Sequence, residues 1–75
     1  MDKKAMLQAM IDTAWTNYNE LHEAEAETGY DDAMDGFERK EAEGYAMGLS
    51  EAFALIYDEP AKDNVEPNFH PEETF

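Results

Sequence analysis

Cysteine is absent from the 75-residue chain, and Lys and Arg together number only five. Without cysteine no disulfide can brace the fold, and in so short a chain the folded surface stays large relative to the core. Association between copies is then the simplest remaining source of stability, and a reducing, cytoplasmic setting is expected. Proline occurs only at Pro60, Pro67 and Pro71, so nothing before position 60 forbids continuous helix on that account. Long apolar runs are missing too. The opening segment is interrupted by Gln8 and Asp12, so it resembles neither a secretory signal nor a membrane span, and a soluble protein is expected.

The scarcity of basic residues is set against 19 acidic ones, giving a formal net charge of -14. Such a chain repels nucleic acid and anionic membrane surfaces and attracts basic proteins. The acidic residues are unevenly placed. Segment 17–43 holds ten of them against Arg39 and Lys40, a net of about -8, whereas 1–16 and 44–57 together come to about -1.

From about Asp2 to Thr28 the chain has no Pro or Gly and good helix formers throughout, which predicts one long helix. At about 100° per residue, Leu7, Met10, Ile11, Ala14, Trp15, Tyr18 and Leu21 share one face, widened by Met6 and Ala9 and interrupted near its end by Glu25. Gly29 supplies a helix stop, and the aspartates after it can cap a second helix. That helix begins near Asp32, or after Asp35 if Asp35 and Glu38 form a capping box, and runs to about Asp58. Its apolar face gathers Phe37, Ala42, Tyr45, Leu49, Ala52, Phe53 and Ile56. Two helices of similar length across a short turn predict an all-α antiparallel hairpin over 1–59. Residues 60–75 have no sustained period and read as a flexible acidic tail.

Either apolar face is wider than the seam between two helices, so the expectation is a homodimer closing a four-helix bundle. Met6, Met10, Trp15, Tyr45 and Phe53 are the candidates for that self-interface or for an apolar partner surface, with Gly44 and Gly48 beside them. Glycine costs about 1 kcal/mol in a helix interior relative to Ala, so these two need a reason. Either a bulky residue of the first helix needs the space, or a second subunit approaches there.

Folding at Gly29 gathers Glu20, Glu23, Glu27, Asp31, Asp32, Asp35, Glu38 and Glu43 at one end as an acidic tip, the candidate partner-binding site. Metal and enzyme readings fare worse. Taking Asp31 as the first position of a calcium loop places Ala33 and Ala42 where oxygen donors are required. Neither His22 nor His70 belongs to a Glu-x-x-His pair that a di-metal helical site would use. No cofactor and no metal are expected.

Glu20-x-x-Glu23 and Glu38-x-x-Glu41 form the one enzyme-like constellation, since facing carboxylates can hold magnesium against substrate phosphates. In these two pairs the chain resembles the all-helical nucleotide pyrophosphohydrolases of the MazG type, which implies a magnesium-dependent alternative function. In size, charge and lack of cysteine it resembles the small acidic proteins with which bacteriophages bind and disable host machinery, some of them DNA mimics. That resemblance implies a non-enzymatic inhibitor or modulator of a basic, nucleic-acid-handling protein. A structural or adaptor dimer working through the apolar surface is the alternative.

Overall fold

The structure, a computed structural model, describes residues 2–27, 29 and 33–68, with the side chains of 33–35 excluded. It is all-helical: α1 spans Lys3–Glu27 and α2 spans Ala33–Tyr57. Asp2 starts α1, its Oδ1 accepting from the Lys4 amide at 3.2 Å, an N-cap bond for an otherwise unpaired donor. Gly29 adopts a positive φ of 69° and its amide donates to Ala26 O at 3.1 Å, so the predicted glycine stop is in place. Asp58, at φ 57°, ends α2 in the left-handed region that Asp tolerates better than most residues. The predicted caps at Asp31, Asp32 and Asp35 lie outside the described residues and side chains.

The helices run antiparallel. Glu25 meets Arg39 at one end, while at the other Lys4 pairs with Glu59 and its ammonium lies 6.0 Å from the Phe53 ring centre and 5.6 Å from that of Tyr57. The buried positions are mirrored in sequence. Ile11, Tyr18, His22 and Glu25 each lie as many residues before position 32 as Phe53, Ala46, Ala42 and Arg39 lie after it. Tyr18 and His22 have alanines as their mirror partners, which leaves depth for rings between close-packed helices.

The seam on α1 keeps Ile11, Ala14 and Tyr18 of the predicted face and is extended by His22 and Glu25, but Met6, Ala9 and Met10 of that face stand exposed. On α2 it is rotated. Ala42 and Phe53 are buried as expected, but Arg39 and Ala46 complete the seam, while Phe37, Tyr45 and Ile56 stand exposed. The small Ala42 and Ala46 admit α1 closely, and the larger apolar residues are left on the flank. Gly44 and Gly48 are not spacers inside the hairpin: a Cβ at either would meet nothing within 4 Å. Gly48→Ala should therefore raise the stability of the single hairpin by about 1 kcal/mol, read as a higher melting temperature in dilute solution.

Where the sequence reads as a flexible tail, residues 60–68 form an extended strap hydrogen-bonded to α1. The Gln8 side-chain amide donates to Lys62 O at 3.0 Å and accepts from Lys62 N at 2.9 Å. Asn19 repeats the arrangement, donating to Glu66 O at 2.9 Å and accepting from Asn68 N at 2.7 Å. Between them Asn64 donates to Asp12 at 3.0 Å, and the Tyr18 hydroxyl donates to Asn68 O at 3.1 Å. The rest of the expected tail, 69–75, lies outside the described residues.

Candidate functional site

At the turn end, Glu25 and Arg39 project from the inner faces of α1 and α2. Their side chains are buried, and Arg39 Nε donates to Glu25 Oε2 at 2.8 Å. Taking both charges out of water is costly, and direct pairing offsets the cost. Gly36 makes room for it, because a Cβ there would lie 3.3 Å from Glu25 Oε1. Glu43, one turn beyond Arg39, approaches the guanidinium at 3.7 Å and is half-buried. The tip thus has an ionic interior that the hydropathy pattern did not reveal. Glu25 interrupting the α1 face was the available signal, and Arg39 stands opposite it at the same distance from position 32.

Outside this pair, Glu20, Glu23 and Glu27 of α1 and Glu38 and Glu41 of α2 are exposed. Glu43, expected to project with them, is instead drawn toward Arg39. Asp31, Asp32 and the side chain of Asp35 fall outside what the structure describes. Burial of Arg39 leaves Lys40 as the one basic side chain of segment 17–43 that faces solvent. The exposed carboxylates of this end thus outnumber its solvent-facing cations, although among the described residues those of α1 and α2 do not converge.

The Glu20/Glu23 and Glu38/Glu41 pairs are not brought together. Among the described residues no three His, Asp or Glu side chains converge as metal ligands. Glu20 and Glu23 emerge from the side of α1 turned away from its buried seam, so helical periodicity itself separates them from α2. His22, also considered as a ligand, is buried between the helices with its ring 6.2 Å from that of Tyr18.

The apolar candidates divide. Phe53 is only 3% exposed and packs on Tyr57, with ring centres 4.9 Å apart, so it belongs to the hairpin core rather than to an outer surface. Trp15 is partly covered and meets Tyr18 edge-to-face at 5.5 Å. Met6 and Met10, each 48% exposed, and Tyr45, 58% exposed, do face outward. Met10 and Tyr45 line one shallow groove with Ala9, Thr13, Ala14 and Asn17. A second cleft lies along the strap, lined by Lys4, Gln8, Asp12, Glu59 and Lys62 among others. There the hydrogen-bonding Glu59 carboxylate raises the Lys4 ammonium above its ordinary value.

No protein-family model matches the chain, and no curated protein or solved structure proved similar to it. No helix among the described residues is long and apolar enough to cross a membrane.

Proposed function

We propose that the chain is a non-enzymatic acidic binding protein, a dimer of hairpins whose tips engage a basic surface on a nucleic-acid-handling protein and thereby inhibit or modulate it. The observation that carries this reading is the internalisation of Arg39. Its guanidinium is spent on Glu25, so the exposed part of the tip is carboxylate-rich with Lys40 as its solvent-facing cation. Carboxylates fixed on rigid helices can stand in for phosphates against Lys and Arg, and attraction over several ångströms speeds association at low salt.

The test is capture from a lysate of the host cell with the wild-type chain and with a variant carrying Lys at positions 20, 23, 31 and 35. The expected result is a nucleic-acid-binding protein retained by the wild type, released by salt or by a competing DNA duplex, and missed by the variant. Circular dichroism should show the variant's helicity intact. Retention indifferent to both the charge reversal and competing DNA would reject tip recognition.

A second reading, an adaptor working through its apolar flank, is favoured by the exposure of Met10 and Tyr45 beside one groove. Under that reading Tyr45→Asp, and not the charge reversal, abolishes capture.

A further inference from the structure

The bonds that hold residues 60–68 to α1 follow a pattern that sheets use. Gln8 spends its carboxamide on both main-chain groups of one residue, Lys62, at 3.0 and 2.9 Å, as two opposed residues of an antiparallel pair exchange theirs. Asn19 divides its pair between Glu66 O at 2.9 Å and Asn68 N at 2.7 Å, bracketing Pro67 as a neighbour in a parallel ladder does. Each carboxamide thus stands in for a peptide group on the face of a helix. The spacing suits an extended chain: Gln8 and Asn19 are eleven residues apart on α1, about 16 Å, and five extended residues from Lys62 to Pro67 cover the same length.

In charge, the strap is poorly matched to the groove it fills. It carries Lys62 against Asp63 and Glu66, a net of -1 within a chain of net -14. Asp12 lies in the groove, and Glu20 follows Asn19 directly. Lys62, Asp63, Glu66 and Pro67 are exposed, so another polypeptide offering the same main-chain groups would be held equally well. A cleft stays open between strap and helix beside Gln8, Asp12, Lys62 and Asn64. With little apolar surface to expose, such an attachment opens more readily than the helical seam.

We propose that the stripe of Gln8, Asp12, Tyr18 and Asn19 on α1 is a binding groove for an extended, basic polypeptide segment, and that residues 60–68 are its resident occupant, displaced when that segment arrives. The incoming segment meets the same four side chains and gains the electrostatic attraction that the strap lacks. Tethering favours the strap, at an effective concentration of roughly millimolar, so an acidic segment does not displace it. The main chain supplies the affinity, as when a peptide adds to a sheet edge, and the exchange supplies the preference for positive charge. None of the four residues belongs to the acidic tip, and the groove stands whether or not the tip has a partner.

The probe is a synthetic peptide of the 60–68 sequence carrying Asp63→Lys and Glu66→Lys, blocked at both ends, labelled with a neutral dye and titrated with the full chain at low salt. A matched peptide, N-methylated at the amides of residues 62 and 68, keeps the charge and loses the two donors. It should bind at least about tenfold more weakly. In the complex with the first peptide, the chain's own Lys62 and Asn68 amides should exchange with solvent as freely as unpaired ones. Asn64→Ala in the chain removes the strap's side-chain bond to Asp12 and leaves α1 untouched, so it weakens only the competitor and should tighten probe binding about fivefold. Equal affinity of the two peptides would reduce the binding to charge alone and overturn the groove. Continued protection of the Lys62 and Asn68 amides, indifference to Asn64→Ala, or no binding at millimolar chain would each overturn it as well.

Discussion

Arg39→Ala is expected to destabilise the protein severely. The substitution strips the cationic partner from Glu25, a carboxylate only 3% exposed between two helices, and breaking a buried ion pair from one side typically costs about 3–5 kcal/mol. A domain of this length has a total stability of roughly 4–11 kcal/mol, so the loss removes from about a quarter of the margin to all of it. In thermal melts followed by circular dichroism, the midpoint should fall by at least about 15 °C, or no cooperative transition should remain. The double variant Glu25→Leu, Arg39→Leu should recover most of the loss, because replacing both charges by apolar groups leaves nothing uncompensated. A single variant that melts within about 3 °C of wild type would show that the pair contributes little to the fold.

The second large effect is expected at Phe53. Its ring is buried, lies next to Tyr57 and has the Lys4 ammonium above it, so Phe53→Ala opens a cavity at the base of the hairpin. Such truncations cost about 3–5 kcal/mol. Tyr45→Ala makes the contrast: at an exposed position the loss should stay within about 0.5 kcal/mol when measured on the dilute single hairpin. Chemical denaturation of the two variants separates them, since a core residue shifts the midpoint and a flank residue does not. Similar midpoints for both would return Phe53 to the outer surface that its sequence context suggested.

The sequence marked the helix boundaries because they rest on local chemistry: a glycine able to take φ 69° after α1, and Pro60 shortly after α2. The α1 face was legible in its middle, where Ile11, Ala14 and Tyr18 are both apolar and buried, but not at Met6 and Met10, which stay exposed. On α2 the two properties part company. Tyr45, Leu55 and Ile56 dominate any apolar average, yet the residues that go inside are Ala42, Ala46, Phe53 and an arginine. Hydropathy rewards size and penalises charge, whereas close helix packing favours small side chains and tolerates a guanidinium that has a carboxylate opposite.

Of the acidic tip, Glu20, Glu23, Glu27 and Glu38 were readable because solvent-facing glutamates need nothing beyond their place on the helix. Glu25 and Glu43 were not, since their surroundings depend on Arg39 arriving from the other helix. The strap escaped notice for a third reason. Apart from the Asn64 side chain on Asp12, its attachments join side chains of α1 to main-chain atoms, and main-chain bonding leaves no periodic trace in composition.

That mode of attachment determines which substitutions the strap tolerates. Gln8 and Asn19 grip the backbone at Lys62, Glu66 and Asn68, and such a grip is indifferent to the side chains of those residues. It is not indifferent to proline, which has no N–H to give. Positions 62 and 68, whose amides are donated, are therefore closed to it, while Pro60 and Pro67 each stand beside such bonds without interrupting one. Apart from Asn64, whose side chain reaches Asp12, residues 60–68 can thus drift widely in sequence and still be held, provided that an amide hydrogen recurs at positions 62 and 68.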